Sequence, residues 1–322
     1  MDQENSKKVD EAVKILPLSL SRYRFRFRAE RALPEYGYRG SQWRGILGHS
    51  LKKLVCITHH RNCGQCMLYR SCVYPYVFET PPSENSEMMR KYPAAPHPYV
   101  LEVNLRSAAG VDQELGLTLF GAANRYLAYV IHSFKNGARK GFLPERTPLE
   151  LVRVEQETEA GSGCWQPILN GDVLNALAAA VPACPQAPER VRFRFETPLR
   201  LKADEQRVTP DKFKFSDLFR NLLRRISLLT FFHCNRRLEE DFAGLNAMSR
   251  DAEFDRVALR WHDWSRYSNR QRRHVPMGGF IGVAELPLRG FESLWPYLWL
   301  GQFTHAGQGT SMGLGRYALE VL

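Results

Sequence analysis

The sequence has no run of 18 apolar residues, so it contains no segment that would cross a membrane as a helix. Its first twelve residues, MDQENSKKVDEA, are polar and contain acids, unlike a signal peptide. Both absences predict a cytoplasmic protein with no membrane partner. In that reducing compartment the seven cysteines are not expected to form disulfides, and their spacing bears instead on metal binding or burial.

Acidic residues are scarce relative to basic ones, 34 against 45, which leaves a net charge of +11. Such an excess favours a polyanionic partner such as nucleic acid, with a merely basic soluble protein as the alternative. No cluster of carboxylates has the spacing of a magnesium site, which disfavours a two-metal nuclease. The length of 322 residues favours two domains.

The C-terminal segment GQFTHAGQGTSMGLGRYALEVL, residues 301–322, is rich in glycine but lacks the features of two phosphate-binding loops. No lysine follows the relevant glycine, as a Walker loop requires, and RYALEV after Gly315 alternates like a strand instead of opening a helix. The glycines therefore predict a loop whose backbone turns sharply or is approached closely by a ligand.

Two segments alternate aromatic residues with arginines, as strands with one buried and one basic face do. They span residues 16–30 and 191–202. The basic faces predict contacts with nucleic acid through Arg24, Arg26, Arg192 and Arg194.

Each half of the chain continues from its basic strand in a similar order, through a helix, strand-like runs, a second helix and a closing strand. This βαββαβ order predicts an α+β protein of two tandem ferredoxin-like, or RRM-like, domains. Residues 158–188 are rich in Gly, Pro and Ala and predict a connection between the domains. We place the N-terminal domain at residues 1–187 and the C-terminal domain at residues 188–322.

The first predicted helix, GSQWRGILGHSLKKLVC, places His49 away from its apolar stripe. At about 100° per residue, Trp43, Leu47, Leu51 and Leu54 share one face, and His49 lies on the opposite side. His49 is therefore not expected to be a core histidine.

Lys52 and Lys53 follow His49 at i+3 and i+4 and share its face of the helix. Gly45 and Gly48 would keep the neighbouring surface low enough for a bulky ligand. A lysine beside a histidine can stabilise negative charge on a bound oxygen. The alternative is an ordinary solvated basic face.

Four cysteines lie within 17 residues in the pattern C-x6-C-x2-C-x5-C: Cys56, Cys63, Cys66 and Cys72. Thiolates at this spacing suit a tetrahedral structural zinc ion, so we expect a small zinc-knuckle insertion at about residues 56–80. Iron–sulfur ligation uses the same donors, and unligated surface thiols are the other alternative.

Residues 261–282, WHDWSRYSNRQRRHVPMGGFIG, interleave tryptophan and tyrosine with arginine. Aromatic faces stack on bases and guanidinium groups fork onto phosphates, the combination used to bind single-stranded or hairpin RNA. A basic surface hairpin is the alternative. The predicted RNA contacts here are Arg266, Arg270, Arg272 and Arg273.

Taken together, these motifs resemble the CRISPR repeat-processing endoribonucleases of the RAMP superfamily. The segments GQFTHAGQGTSMGLGRYAL, MGGFIGVAELPLRG and RYSNRQ are similar to the C-terminal half of that family, and YRGSQWRGILGHSLKKLVC with YPYVFET is similar to its first half. The family loop pattern is G-h-G, five residues, G-h-G. Gly313-Leu314-Gly315 matches the second triplet, whereas His305 stands at the leading glycine of the first.

The resemblance implies cleavage of precursor CRISPR RNA within the repeat, without a metal in the chemistry. The ribose 2′-hydroxyl attacks the adjacent phosphate and leaves a cyclic phosphate and a 5′-hydroxyl. The implied catalytic residues are His49, Lys53 or Lys52, and Tyr38 or Tyr36, with His305 as a competing acid or base. Further RNA contacts are expected at Arg44, Gly307, Gln308, Gly309 and Thr310.

The implied partner is CRISPR repeat RNA, as a hairpin or a single strand, and other subunits of a CRISPR effector complex are further expected partners. Structural zinc is the expected cofactor, with none for catalysis. The main alternative is a non-catalytic RAMP subunit that holds CRISPR RNA as a scaffold. A zinc-dependent nucleic-acid enzyme is a third possibility.

Overall fold

A computed structural model describes residues 14–35, 37–82, 95–106, 108–141, 146–203, 205–268 and 273–322. The N-terminal half contains the strands β1 (Leu20–Leu33), β2 (Tyr99–Glu102), β3 (Gly110–Phe120), β4 (Leu149–Glu157), β5 (Trp165–Pro167), β6 (Leu169–Asn170) and β7 (Val173–Leu174). Its helices are α1 (Gly40–Val55), α2 (Val73–Phe78) and α3 (Leu127–Ala138). Short 3-10 turns cover Cys63–Gln65 and Gly121–Tyr126.

The C-terminal half contains the strands β8 (Arg190–Leu199), β9 (Lys202–Ala203), β10 (Gln206–Arg207), β11 (Arg256–His262), β12 (Ser265–Ser268), β13 (Arg273–Pro276), β14 (Gly279–Pro287) and β15 (Tyr317–Val321). Its helices are α4 (Phe215–Cys234), α5 (Phe242–Asp251) and α6 (Trp295–Thr304). Short 3-10 turns cover Pro210–Lys212, Glu292–Leu294 and Thr310–Met312. No helix within the described ranges is long and apolar enough to cross a membrane.

The first sheet has the strand order β2-β3-β1-β4-β5, with every neighbouring pair antiparallel. β1 lies in the interior because its alternating aromatic residues are buried, as Tyr23, Phe25 and Phe27 show. The first four strands therefore stand in the order 2-3-1-4, which fits the predicted βαββαβ unit.

The second sheet repeats this arrangement with the order β11-β14-β8-β15, again antiparallel throughout. Phe193 and Phe195 of β8 are buried in the same way as their counterparts in β1. Both sheets fit the predicted pair of ferredoxin-like units in an α+β protein. The boundary at residue 187 precedes β8 by three residues and stays a prediction.

Part of the predicted connection belongs to the first sheet. β5 pairs with β4, and β6 and β7 form a short hairpin of their own. The sequence analysis also did not predict β3, whose first half carries the polar residues Asp112, Gln113 and Glu114 and so lacks an apolar run.

The two hydrophobic cores exchange residues across the junction of the two halves. Leu16 and Leu18, which precede β1, pack in the core of the second sheet. In return, Met312 and Leu314 of the glycine-rich loop pack in the core of the first. Burying one such side chain contributes about 1.5–3 kcal/mol, so these residues hold the two halves together.

Candidate functional site

Helix α1 has one buried face and one open face. Its buried residues are Gly40, Trp43, Leu47, Gly48 and Leu51. His49 and Lys53 are exposed, so the prediction that His49 lies away from the core is confirmed. The prediction for Leu54 is wrong, because this residue near the helix end is 40% exposed.

Lys52 does not share the environment of Lys53. It is half-buried, hydrogen-bonds to the side chain of Cys63, and lies 5.4 Å from the ring centre of Tyr74. Burial acts to lower the pKa of Lys52, but attraction to Cys63 outweighs it and leaves this pKa above its usual value. The structure therefore directs Lys52 to the cysteine segment and leaves Lys53 beside His49.

The two glycines of α1 have different surroundings. A Cβ on Gly48 would lie 2.7 Å from Cε1 of Phe78, so this glycine permits the close packing of α2 and does not make room for a ligand. Gly45, one turn before His49, has nothing within 4 Å of its would-be Cβ. Of these two glycines, therefore, only Gly45 leaves open surface beside His49.

Tyr38 is buried, and its position argues against the predicted catalytic role. Its hydroxyl donates to the carbonyl oxygen of Met312 at 2.5 Å, and its ring meets Trp264 edge-on at 4.9 Å. Burial raises the pKa of Tyr38 far above its usual value. We correct its role to structural, while Tyr36 lies outside the described residues.

His305 is fully buried just after α6, which argues against its predicted role as acid or base. Neither ring nitrogen makes a hydrogen bond of normal geometry to the described residues. Burial lowers the pKa of His305 to about 3 despite the opposing attraction of Glu102, so the ring is neutral at physiological pH. RNA at the protein surface has no contact with it.

The glycine-rich loop uses most of its amides internally. Gly307 donates to Oδ1 of Asn221 at 2.7 Å, and Gln308 donates to the carbonyl oxygen of Arg200 at 2.9 Å. Gly315 donates to the carbonyl oxygen of Pro198 at 3.1 Å. The amides of Gly307 and Gln308 are therefore already engaged within the protein, which argues against the expected RNA contacts through the backbone at these two positions.

The same loop docks the two halves onto each other. Its 3-10 turn, Thr310–Met312, is buried and packs against β2 and α1. A side chain on Gly40 would overlap the carbonyl oxygen of Met312, so this glycine lets the turn approach α1. Of the predicted RNA contacts in the loop, Thr310 is buried, Gly307 and Gly309 are half-buried, and Gln308 is exposed.

The arginines of β1 are paired with carboxylates on the neighbouring strands. Nε of Arg24 lies 2.8 Å from Glu155, and Nε of Arg26 lies 3.0 Å from the same carboxylate. Arg26 also reaches Glu114 at 3.2 Å. The predicted basic face is therefore largely neutralised.

The arginines of β8 repeat this pattern. Arg192 lies 2.8 Å from Glu285, and Arg194 lies 3.0 Å from Glu320. Sequence periodicity could not reveal this, because each partner comes from another strand of the sheet. The prediction that these arginines present free positive charge is corrected in the same way.

The segment from Trp261 to Pro276 extends β11 and contains the hairpin β12–β13. Trp264 is half-buried and packs against the core of the first sheet, which limits its stacking on a base, whereas Nε1 of Trp261 donates to Asp263. Arg273 is exposed and Arg266 is half-buried. Arg270 and Arg272 lie outside the described residues.

The four clustered cysteines line a single cavity together with Lys52, Tyr69 and Tyr74. No group of three or more His, Cys, Asp or Glu side chains in the described ranges is arranged to hold a metal ion. Sγ of Cys66 lies 3.3 Å from Oγ1 of Thr58, and Cys63 bonds to Lys52. The geometry does not support the predicted zinc knuckle, because the thiols of Cys63 and Cys66 engage other neighbours.

The fold and this site define a class: a basic protein of two RRM-like units with an exposed His–Lys face on its first helix. Residues 16–181 match the AF_1859_N family, described as an N-terminal domain, and residues 193–317 match the family described as CRISPR-associated endoribonuclease Cas6. The first model covers just over half of the chain, so the chain belongs to the AF_1859_N family, and its C-terminal part is similar to the Cas6 endoribonucleases, in keeping with the resemblance.

Solved structures with a similar fold include Thermus thermophilus Cas6, at 17% identity and a TM-score of 0.57, covering 94% of this chain and 99% of that one. A Cas6 product complex has the same identity and TM-score and covers 94% and 100%. A partial Cas6-RT-Cas1–Cas2 complex has 14% identity and a TM-score of 0.57, covering 95% of this chain and 47% of that one. A search of the curated proteins found no match.

Proposed function

We propose that this protein cleaves precursor CRISPR RNA within the repeat, with the reacting phosphate bound on the open face of α1. One observation carries the proposal: His49 and Lys53 are exposed one helical turn apart, beside the bare surface at Gly45. The other candidates, Tyr38 and His305, are buried.

The chemistry needs a base for the 2′-hydroxyl, an acid for the leaving oxygen and a cation for the charge on the phosphorane. Neutral His49 accepts the proton of the 2′-hydroxyl while that oxygen forms its bond to phosphorus. The bond between phosphorus and the 5′-oxygen breaks, and the leaving oxygen takes a proton from the resulting imidazolium. The products are a cyclic phosphate and a 5′-hydroxyl.

Lys53 is the cation in this proposal. Residues at i and i+4 have Cβ atoms about 5–6 Å apart on a helix, a span over which one phosphate group can contact both side chains. Lys52 is the weaker candidate because Cys63 holds it. The reaction as proposed assigns every proton transfer to side chains and uses no metal.

The test is single-turnover cleavage of the repeat RNA in EDTA by His49→Ala, with His132→Ala as the matched control. His132 is an exposed histidine on another helix, α3. We expect the loss of a general acid–base to slow cleavage by about 10²–10⁴-fold in His49→Ala alone, with RNA binding kept. Full activity of His49→Ala would overturn the assignment.

The same assay addresses the other candidate functions. If the wild-type protein binds the repeat without cutting it, the scaffold subunit is favoured. If EDTA abolishes cleavage, the metal-dependent alternative is favoured. We further propose that the protein retains its product, in keeping with the product complex known for the similar Cas6, and that it associates with other effector subunits.

A further inference from the structure

Two sets of arginines in this protein have different surroundings. Those in β1 and β8 pair with carboxylates across the sheets, as described above. A second group forms no ion pair with any carboxylate in the described ranges. Its members are Arg44, Arg200, Arg207 and Arg266.

The neutral partners of this second group lie where the two halves of the chain meet. Arg44 of α1 donates from Nε to Oγ of Ser311 at 3.2 Å and from Nη2 to Nε2 of His97 at 3.4 Å. Ser311 belongs to the glycine-rich loop of the other half. Arg44 therefore reaches across the junction and pairs there with neutral groups.

Arg200 follows β8 and is only 8% exposed. Its Nη1 contacts Sδ of Met277 at 2.7 Å, while its Nε is buried without a hydrogen-bond partner in the described residues. Nε of Arg266, on β12, is likewise buried without a partner. Both guanidinium groups thus hold N–H donors that the described protein leaves unused.

Packing joins the neighbours of these arginines around one junction. The amide of Met277 donates to the carbonyl oxygen of Trp264 at 2.7 Å, and Trp264 packs on Tyr38, just before α1. Arg207 marks the exposed side, with its guanidinium 5.8 Å from the ring centre of Trp261. Residues from both halves of the chain therefore surround one junction.

The charges in this junction repel one another. Burial, and after it Arg44, lowers the pKa of Arg266. Burial, and after it Arg207 and Arg266, lowers the pKa of Arg200. Buried cations without a counter-charge destabilise a folded protein, and an anion placed among them removes that cost.

We propose that this junction is a phosphate-binding site in which Arg44, Arg200 and Arg266 hold one phosphate group of the RNA backbone. Guanidinium groups suit this ligand because their forked N–H donors match two phosphate oxygens. The inference rests on the proposed function and adds that bound RNA joins the two halves of the protein. The arginines of β1 and β8 do not take part, because carboxylates on neighbouring strands already pair with them.

The first test needs no RNA. Thermal unfolding is followed while sulfate replaces chloride at constant ionic strength, for the wild type, Arg266→Gln and the matched control Arg194→Gln. We expect a saturable sulfate-dependent rise in Tm for the wild type and the control that Arg266→Gln lacks. In chloride alone, Arg266→Gln should unfold at a higher temperature than the wild type, because repulsion is relieved.

A sulfate response of equal size in all three proteins would reflect the general exclusion of sulfate from protein surfaces, and it would overturn the site. If Arg266→Gln unfolds in the absence of sulfate, the same titration on Arg44→Gln decides the matter. Loss of the saturable response in Arg44→Gln supports the site, and its retention overturns it.

The second test measures the affinity for repeat RNA against salt concentration. Arg266→Gln should bind about tenfold more weakly, with a salt slope reduced by about one, whereas Arg194→Gln should match the wild type. Unchanged binding by Arg266→Gln, with cleavage still dependent on His49, would refute this inference and leave the proposed function standing. If the wild type neither binds nor cuts the repeat, the proposed function fails, and the sulfate titration still judges the anion site.

Discussion

Acidification should destabilise this protein through three histidines at the junction of its two halves, of which His233 and His305 are buried and His97 is half-buried. Burial is the main cause that lowers the pKa of His97 to about 3, that of His233 to about 4 and that of His305 to about 3. All three are neutral in the folded protein at pH 7. An unfolded chain exposes them with a pKa of about 6.5.

The hydrogen bonds define which nitrogen carries the proton in two of these rings. Nε2 of His97 accepts from Arg44, so its Nδ1 carries the hydrogen and donates to Oγ1 of Thr80. Nε2 of His233 donates to the carbonyl oxygen of Pro96, so its Nδ1 accepts from the hydroxyl of Tyr76. Protonation of either ring would turn the nitrogen that accepts a hydrogen bond into a donor and break that bond.

The charged neighbours of these rings also oppose protonation. Arg44 and Arg225 both lower the pKa of His97, and Arg225 lowers that of His233. Around His305, Arg316 and Arg225 act in the same direction against the attraction of Glu102. These three histidines therefore take up no proton in the folded protein until the pH approaches their lowered pKa values.

Stability should be constant above about pH 6.5 and fall as the pH drops from there towards 4. In that window the unfolded state binds the protons and the folded state does not, so the free energy of unfolding decreases with falling pH. A difference of 1.5 pH units corresponds to about 2 kcal/mol per histidine at pH 5. For three histidines the loss is about 6 kcal/mol, comparable to the whole stability of many domains.

The assay is urea denaturation at pH 7, 6 and 5, with proton uptake on unfolding measured by titration. His305→Gly is the informative variant, since φ of 57° and ψ of 165° at this residue suit glycine. It should lose about 2 kcal/mol less than the wild type between pH 7 and 5. The exposed His132→Gln is the control, and an equal pH dependence in all three proteins would refute the reasoning.

Three further predictions concern the open face of α1 and its surroundings. Tyr38→Phe should lower the free energy of unfolding by about 1 kcal/mol, since it loses the bond to Met312, and leave the cleavage rate unchanged; slow cleavage with intact stability would restore a catalytic role. Lys53→Ala should slow single-turnover cleavage by about 10²-fold, and Lys52→Ala should slow it far less; the reverse order would exchange their roles. Purified protein should contain no stoichiometric zinc by metal analysis, and a chelator should leave the Tm of both the wild type and Cys63→Ser unchanged. One bound zinc per chain in the wild type that is lost in Cys63→Ser would contradict the described geometry.

Local periodicity was sufficient for much of the fold. The alternation in β1 and β8, and the apolar stripe of α1, were read correctly because each depends only on how the chain repeats along one element. The exposed position of His49 follows from the same rule. β3 was not predicted because its first half is polar. Leu54 was wrongly predicted to be buried because the end of a helix can extend beyond the core.

The partners of the charged residues were beyond the reach of that reasoning. Arg24 and Arg192 look alike as residues of basic strands, and so does Arg266 in its basic segment, yet carboxylates neutralise only the first two. Nothing in the spacing along one strand tells which side chain lies on the next. For the same reason, Arg200 and Arg207 were not among the residues predicted to bind RNA.

Motifs and periodicity are local properties of the chain, and they were enough to indicate the family resemblance, the repeated βαββαβ order and the face of α1 that carries His49. Only the tertiary structure decided that Tyr38, His305 and most of the glycine-rich loop serve the junction between the two halves. It also decided which arginines keep their charge. Burial and pairing depend on residues far apart in the chain, such as Tyr38 and Met312, and only folding brings these together.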